Sequence, residues 1–112
     1  MSNVVATRLS AIRDNAHIKS TDIANMLGVR PETVSRWNQG KSQPRANEER
    51  LLYVVEYIAG QLSEVYEPRE ARAFFYAPQR LLGGKSPADL IQAGEQERVM
   101  ELVRQIVDGV HV

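Results

Sequence analysis

The sequence contains no cysteine and only two histidines. The first absence excludes disulfides and thiolate metal sites, and it suits a reducing compartment. The second leaves little for catalysis or metal binding, because His17 and His111 lie near opposite ends with no nucleophile or ligand set beside either. No Gly-rich phosphate loop follows a strand-like segment, no segment alternates in the period of a strand, and no internal repeat is present. There is no uncharged apolar run near the roughly 18 residues of a membrane span, and MSNVVATRLSAIRDNA at the start has no apolar stretch after a basic beginning. What remains is a soluble, cytoplasmic, all-α chain that is not an enzyme and needs no metal or organic cofactor.

Net charge is also missing: the formal value is +0. That zero conceals an asymmetry. Up to Arg50 eight cations face five anions, a surplus of three positive charges, while the remainder carries six cations and nine anions. A nucleic-acid-facing half joined to a protein-facing half has this distribution, although ordinary scatter of surface charge gives it too. The 112 residues are enough for one domain or two small helical modules sharing a core.

The first helix is expected from about Asn3 to Ala16, with Val5, Leu9 and Ile12 at helical spacing and Ser2 as its cap. A long helix runs from Ala46 toward Val65. Its Leu51, Leu52, Val54, Val55, Ile58 and Leu62 cover too much circumference for one buried face, so it should touch two neighbours, within the monomer or in a second subunit. Pro68 opens a helix through Tyr76, Gly83-Gly84 breaks the chain after Leu81 and Leu82, and Ser86 caps a helix that starts at Pro87 and ends at Gly94. The last helix, about Glu95 to Val107, carries Val99, Leu102, Val103 and Ile106 on one stripe, and Gly109 is expected to release a short tail.

Ser20 to Gln39 has the pattern of a helix-turn-helix. Ile23, Ala24 and Leu27 put apolar or small groups on one helical face, Gly28 can take the left-handed conformation a tight turn needs, and Pro31 suits a first helical turn. Val34 and Trp37 then give a second helix its buried stripe, which makes Trp37 a core residue rather than a base-stacking one. At about 100° per residue, Glu32, Arg36 and Gln39 point away from the core, with Thr33 and Ser35 beside them. Arginine can pair with guanine, glutamine with adenine, and glutamate can accept from cytosine, although Glu32 can equally serve the helix N-terminus. Arg30 stands at the helix entrance, and Lys19, Ser20, Lys41 and Arg45 border the motif where phosphates should pass. One such headpiece reads a short half-site, so a homodimer is expected on operator DNA.

The run Pro78-Gln79-Arg80-Leu81-Leu82-Gly83-Gly84-Lys85-Ser86-Pro87-Ala88-Asp89-Leu90-Ile91, with Gly94 and the Val99 to Ile106 helix behind it, resembles the toxin-binding domain of Xre/MbcA/ParS antitoxins. With the Xre-type headpiece upstream, the resemblance covers nearly the whole chain and is nearest to short MbcA-like members. Gln79, where asparagine is frequent, and the Ala93-Gly94-Glu95 junction depart from the commoner pattern. The resemblance implies a type II antitoxin that blocks a RES-domain toxin, an NAD-degrading enzyme, and represses its own operon, alone as a homodimer or in a larger heteromeric complex with the toxin. It implies a headpiece over residues 1–45, a connecting or dimerisation helix over 46–66 and a toxin-binding domain over 67–112. The toxin-binding residues implied are Arg80, Leu81, Leu82, Gly83, Gly84, Lys85, Pro87 and Leu90, with the tail Val110, His111 and Val112. Without the resemblance, Leu81, Leu82, Leu90 and Ile91 read as core residues, and the chain as a free-standing repressor with a C-terminal dimerisation or effector domain.

Overall fold

The computed structural model describes residues 3–110, which form seven α-helices and one 3₁₀ turn. The helices are α1 (Val4–Ala16), α2 (Ser20–Leu27), α3 (Pro31–Asn38), α4 (Ala46–Leu62), α5 (Pro68–Tyr76), α6 (Pro87–Gln92) and α7 (Gln96–Val110), and the 3₁₀ turn is Arg80–Leu82. No strand occurs among the described residues; an isolated antiparallel bridge joins Gln79 to Lys85.

Local chemistry places most of the helix ends. The Asn3 side chain caps α1 by accepting from the Ala6 N–H at 3.1 Å. Its amide group also donates to the carbonyls of Trp37 and Asn38 at 3.1 and 3.2 Å, so the same residue ties the start of α1 to the end of α3. The cap is thus Asn3 rather than Ser2, which lies outside the described residues. Helices α2, α4 and α5 begin alike, with Asp22, Glu48 and Glu70 accepting the backbone N–H three residues earlier, at 2.7, 2.9 and 2.9 Å. Between α2 and α3 the chain turns at Gly28, whose φ of +73° is left-handed. The Val29 N–H returns to the Ala24 carbonyl at 3.0 Å, closing a Schellman-type end that a side chain at position 28 would strain.

Two helix ends differ from the sequence pattern. Helix α4 stops at Leu62 instead of reaching Val65, because the chain tightens there: the Val65 and Tyr66 N–H groups both return to the Leu62 carbonyl, at 3.0 and 2.8 Å. Helix α7 runs through Gly109 to Val110, so no tail is released at that glycine. Glycine lowers helix propensity without forbidding the helix, and Val99, Leu102, Val103 and Val107 bury one stripe that holds it in place. His111 and Val112 lie outside the described residues.

One hydrophobic core unites the helices. It runs from Val5, Leu9 and Ile12 on α1 through Trp37 on α3, Leu52 and Ile58 on α4 and Phe75 on α5 to Leu90 and Val103 at the C-terminal end. Helix α4 packs against α1, α2 and α7, and Leu51 and Val54 lean on the same core, so much of its wide apolar surface is used inside the chain. Helix α6 joins α2 to α5 and α7. Leu90 is fully buried there, far in sequence from the fully covered Trp37.

A shared core predicts shared unfolding. Leu90→Ala should cost about 2–5 kcal/mol and lower the urea midpoints of Trp37 fluorescence and far-ultraviolet circular dichroism together. A Trp37 transition that stays in place in this variant would show that the two ends unfold separately.

Candidate functional site

Helix α3 lies on the surface with Val34 and Trp37 inward and Glu32, Ser35, Arg36 and Gln39 exposed, while Thr33 is half-buried. The sequence brings these together because the apolar pair alone fixes the rotation of the helix. Lys19, Ser20, Arg30, Lys41 and Arg45 are all exposed around it. Among the described residues, none of Lys19, Arg30, Arg36, Lys41 and Arg45 enters an ion pair, which leaves five cations available to an external anion. A groove of about 580 Å³ separates the start of α3 from the loop before α4, with Arg30, Thr33, Ser42 and Arg45 on its walls. Chemically this surface can approach a polyanion and present hydrogen-bonding groups to it.

The second candidate surface is the 79–85 loop. Its ends are locked by the bridge, in which the Gln79 N–H donates to the Lys85 carbonyl at 3.0 Å and the Gly84 N–H to the Gln79 carbonyl at 2.9 Å. Two left-handed residues in succession, Gly83 at +69° and Gly84 at +84°, let the ring close. The closure turns Leu82 into the core and Leu81 outward, where it is 70% exposed between the exposed cations Arg80 and Lys85. A groove of about 400 Å³ runs from Leu81 and Leu82 along Glu97, Glu101 and Leu102 of α7. Of the residues implied as toxin-binding, Leu82, Pro87 and Leu90 are buried and support this surface from beneath, while Arg80, Leu81, Gly83, Gly84, Lys85 and Val110 are exposed.

Between the two surfaces sits a clamp with no signal in the sequence beyond an acid in the first turn of α2. The Asp22 carboxylate, 8% exposed, accepts from Arg72 of α5 at 2.8 and 3.4 Å and from the Tyr76 hydroxyl at 2.6 Å, in addition to the Lys19 N–H. Arg72 also donates to the His17 carbonyl at 2.7 Å and lies 4.9 Å from the centre of the Tyr76 ring. His17 ends α1 at a φ of +52°, the only positive φ outside glycine among the described residues. Burial alone would raise the Asp22 carboxyl, but hydrogen bonds from Arg72, Tyr76 and the Lys19 N–H, with the Arg72 charge, outweigh it and hold the carboxyl below its ordinary value. Burial, and then the bond to Asp22, push the Tyr76 hydroxyl above the usual tyrosine range.

Among the described residues there is no group of three or more His, Asp or Glu side chains able to hold a metal, and no helix long and apolar enough to cross a membrane. The chain matches no protein-family model. It is 32% identical over 111 residues to the mycobacterial cidal antitoxin MbcA of Mycobacterium tuberculosis (strain ATCC 25618 / H37Rv), covering 98% of this chain and 97% of that protein. It is 27% identical over 95 residues to the probable mycobacterial cidal antitoxin Rv3188 of the same strain, covering 85% of this chain and 81% of that one. A chain in the crystal structure of the M. tuberculosis MbcT-MbcA toxin-antitoxin complex superposes with a TM-score of 0.82 at 30% identity, over 99% of this chain and 100% of that one.

The clamp sets a pH profile. Since Asp22 titrates lower in the folded chain, its contribution is full above about pH 4 and is lost as pH falls through the folded value. Tyr76 titrates higher in the folded chain, so its contribution is full below about pH 10 and is lost as pH rises further. Asp22→Asn should cost about 1–3 kcal/mol at neutral pH and flatten the acid limb of stability, read from urea midpoints between about pH 3 and pH 8. Parallel acid limbs in the two proteins would remove Asp22 from this role.

Proposed function

The chain belongs to the family of the mycobacterial cidal antitoxin MbcA, and from that premise we propose that it is the antitoxin of a type II toxin-antitoxin system. It is a binding protein and not an enzyme. In this reading it binds and blocks a RES-domain toxin that degrades NAD, and through α2 and α3 it represses its own operon. The observation that carries the antitoxin role is the near-complete match, in sequence and fold, to a chain of the MbcT-MbcA toxin-antitoxin complex. The finer assignments rest on the chemistry of the two surfaces.

For the operator, α2, the turn at Gly28 and α3 act as the helix-turn-helix, with Arg36 reading a base edge and Glu32, Thr33, Ser35 and Gln39 beside it. Lys19, Ser20, Arg30, Lys41 and Arg45 meet phosphates. The absence of competing ion pairs at the five cations among the described residues supports this division. Residues 1–45 then form the reading end and residues 67–112 the toxin-holding end, with α4 between them; these are roles on one shared core. Arg36→Ala should weaken specific operator binding by about 1–3 kcal/mol and relax preference at one base position. Lys41→Ala and Arg45→Ala should weaken all sequences alike and each reduce the salt slope by about one. Fluorescence anisotropy over a salt series reads both. An Arg36→Ala variant with unchanged preference would remove that residue from the base contacts.

For the toxin, the 79–85 loop supplies the anchor. A rigid loop that holds Leu81 out between Arg80 and Lys85 suits an apolar cleft with an anionic rim. Val110 and the chain beyond it form a second contact. The test mixes the chain with the RES-domain enzyme encoded beside it and follows NAD consumption. Leu81→Asp should raise the inhibition constant by about 30-fold or more without loss of helicity, since the side chain is exposed. Truncation after Asp108 with full inhibition would confine the interface to the loop. A wild-type chain that binds operator but leaves the enzyme unaffected would instead be a free-standing repressor.

A further inference from the structure

Helix α3 is eight residues long, and a helix that short is marginal without outside support. The turn at Gly28 holds its entry, and Val34 and Trp37 hold its underside. Its exit is held from another element. Of its last four carbonyls, those of Ser35, Arg36 and Trp37 accept the N–H groups of Gln39, Lys41 and Gly40 at 3.0, 2.9 and 3.1 Å. The Asn38 carbonyl has one partner among the described residues, the Asn3 side-chain amide at 3.2 Å, which also bonds the Trp37 carbonyl at 3.1 Å.

The chemistry of asparagine suits this place. Asn3 Oδ1 caps α1 at the Ala6 N–H, a task that serine, threonine or aspartate performs about as well. Among those capping side chains asparagine alone adds an amide NH₂, and here that group goes to α3. The approach is close: a Cβ placed on Gly40 would lie 3.5 Å from Asn3 Nδ2, whereas one placed on any other glycine of the chain would meet nothing within 4 Å. In sequence the two carbonyls held by Asn3 lie between Arg36 and Gln39, both of which point outward.

We propose that Asn3 is the positioning residue of the base-reading helix, its carboxamide fixing the last turn of α3 against α1 and with it the aim of Arg36 and Gln39 at base edges. The role in reading rests on the DNA-binding reading above; the hold on α3 does not. Hydrogen bonds to a base are directional, so a last turn free to unwind loses them. Phosphate contacts from long lysine and arginine side chains tolerate such movement. Asn3 therefore bears on which sequence is bound more than on whether DNA is bound.

Three variants of the full chain separate the two ends of the side chain. Asn3→Ser and Asn3→Asp keep an acceptor for the Ala6 N–H but lose the amide that reaches α3, and Asn3→Ala loses both. Amide hydrogen exchange reads each end directly. In the first two variants Ala6 should stay protected while Gly40 and Lys41 exchange at least about tenfold faster, and in Asn3→Ala all three should exchange faster.

Fluorescence anisotropy at one salt concentration then compares a duplex from the region upstream of the chain's own gene with a scrambled duplex of the same composition. Asn3→Ser should lower the ratio of the two affinities about tenfold and change the affinity for the scrambled duplex by less than about twofold. Asn3→Asp should lower the ratio as far, while its added charge weakens both duplexes. Unchanged exchange at Gly40 and Lys41 would overturn the hold on α3, and faster exchange with an unchanged ratio would overturn the role in sequence choice. A wild-type chain that binds both duplexes alike would end the DNA-binding reading and this role with it, while the exchange rates still decide whether Asn3 holds α3.

Discussion

A single buried carboxylate constrains this fold more than any other polar group. Asp22 starts α2 by holding the Lys19 N–H, and in the same position it must find partners for a charge taken out of water. Arg72 and Tyr76 are those partners, and both come from α5. The seating of α5 against the end of α1 and the start of α2 is therefore fixed by hydrogen bonds as well as by packing. Arg72 reaches further, to the carbonyl of His17, so the end of α1, the start of α2 and the middle of α5 converge on one guanidinium. Removing Arg72 would leave the buried Asp22 charge without its counterpart, which is costlier than never having placed it there.

That clamp explains how a small chain of zero net charge carries two unlike surfaces. The α3 side is cationic and polar, with side chains that make no ion pairs of their own among the described residues. The 79–85 side offers one apolar tip on a hydrogen-bonded ring. Helices α1 and α4 lie between, sharing a core with both. In a chain this short neither surface has a separate core to rest on, so each is stiff because the other end is folded.

Much of this was legible locally. Pro31, Pro68 and Pro87 open helices as their fixed φ suggests, Ser86 caps α6 through the Asp89 N–H at 3.1 Å, and Val34 with Trp37 set the rotation of α3. Each of these is decided by residues within one or two turns. The clamp was not legible, because Asp22 and Arg72 are 50 residues apart and only the tertiary fold brings them together. For the same reason the C-terminal run of implied contact residues did not divide itself into Leu81 outside and Leu82, Pro87 and Leu90 inside. Gly109 misled for the opposite reason: a local helix breaker was overridden by the buried stripe of α7.

The continuity of the core also bears on how the protein disappears. Val99 and Val103 of α7 lie in the same cluster as Leu52 and Ile58 of α4, which in turn covers α1 and α2. A protease that draws α7 away exposes that cluster to water, and the remaining helices lose the apolar contacts that hold them. Turnover then removes the cationic α3 surface and the 79–85 surface in one event. On a continuous core neither surface keeps its support when the other end is lost.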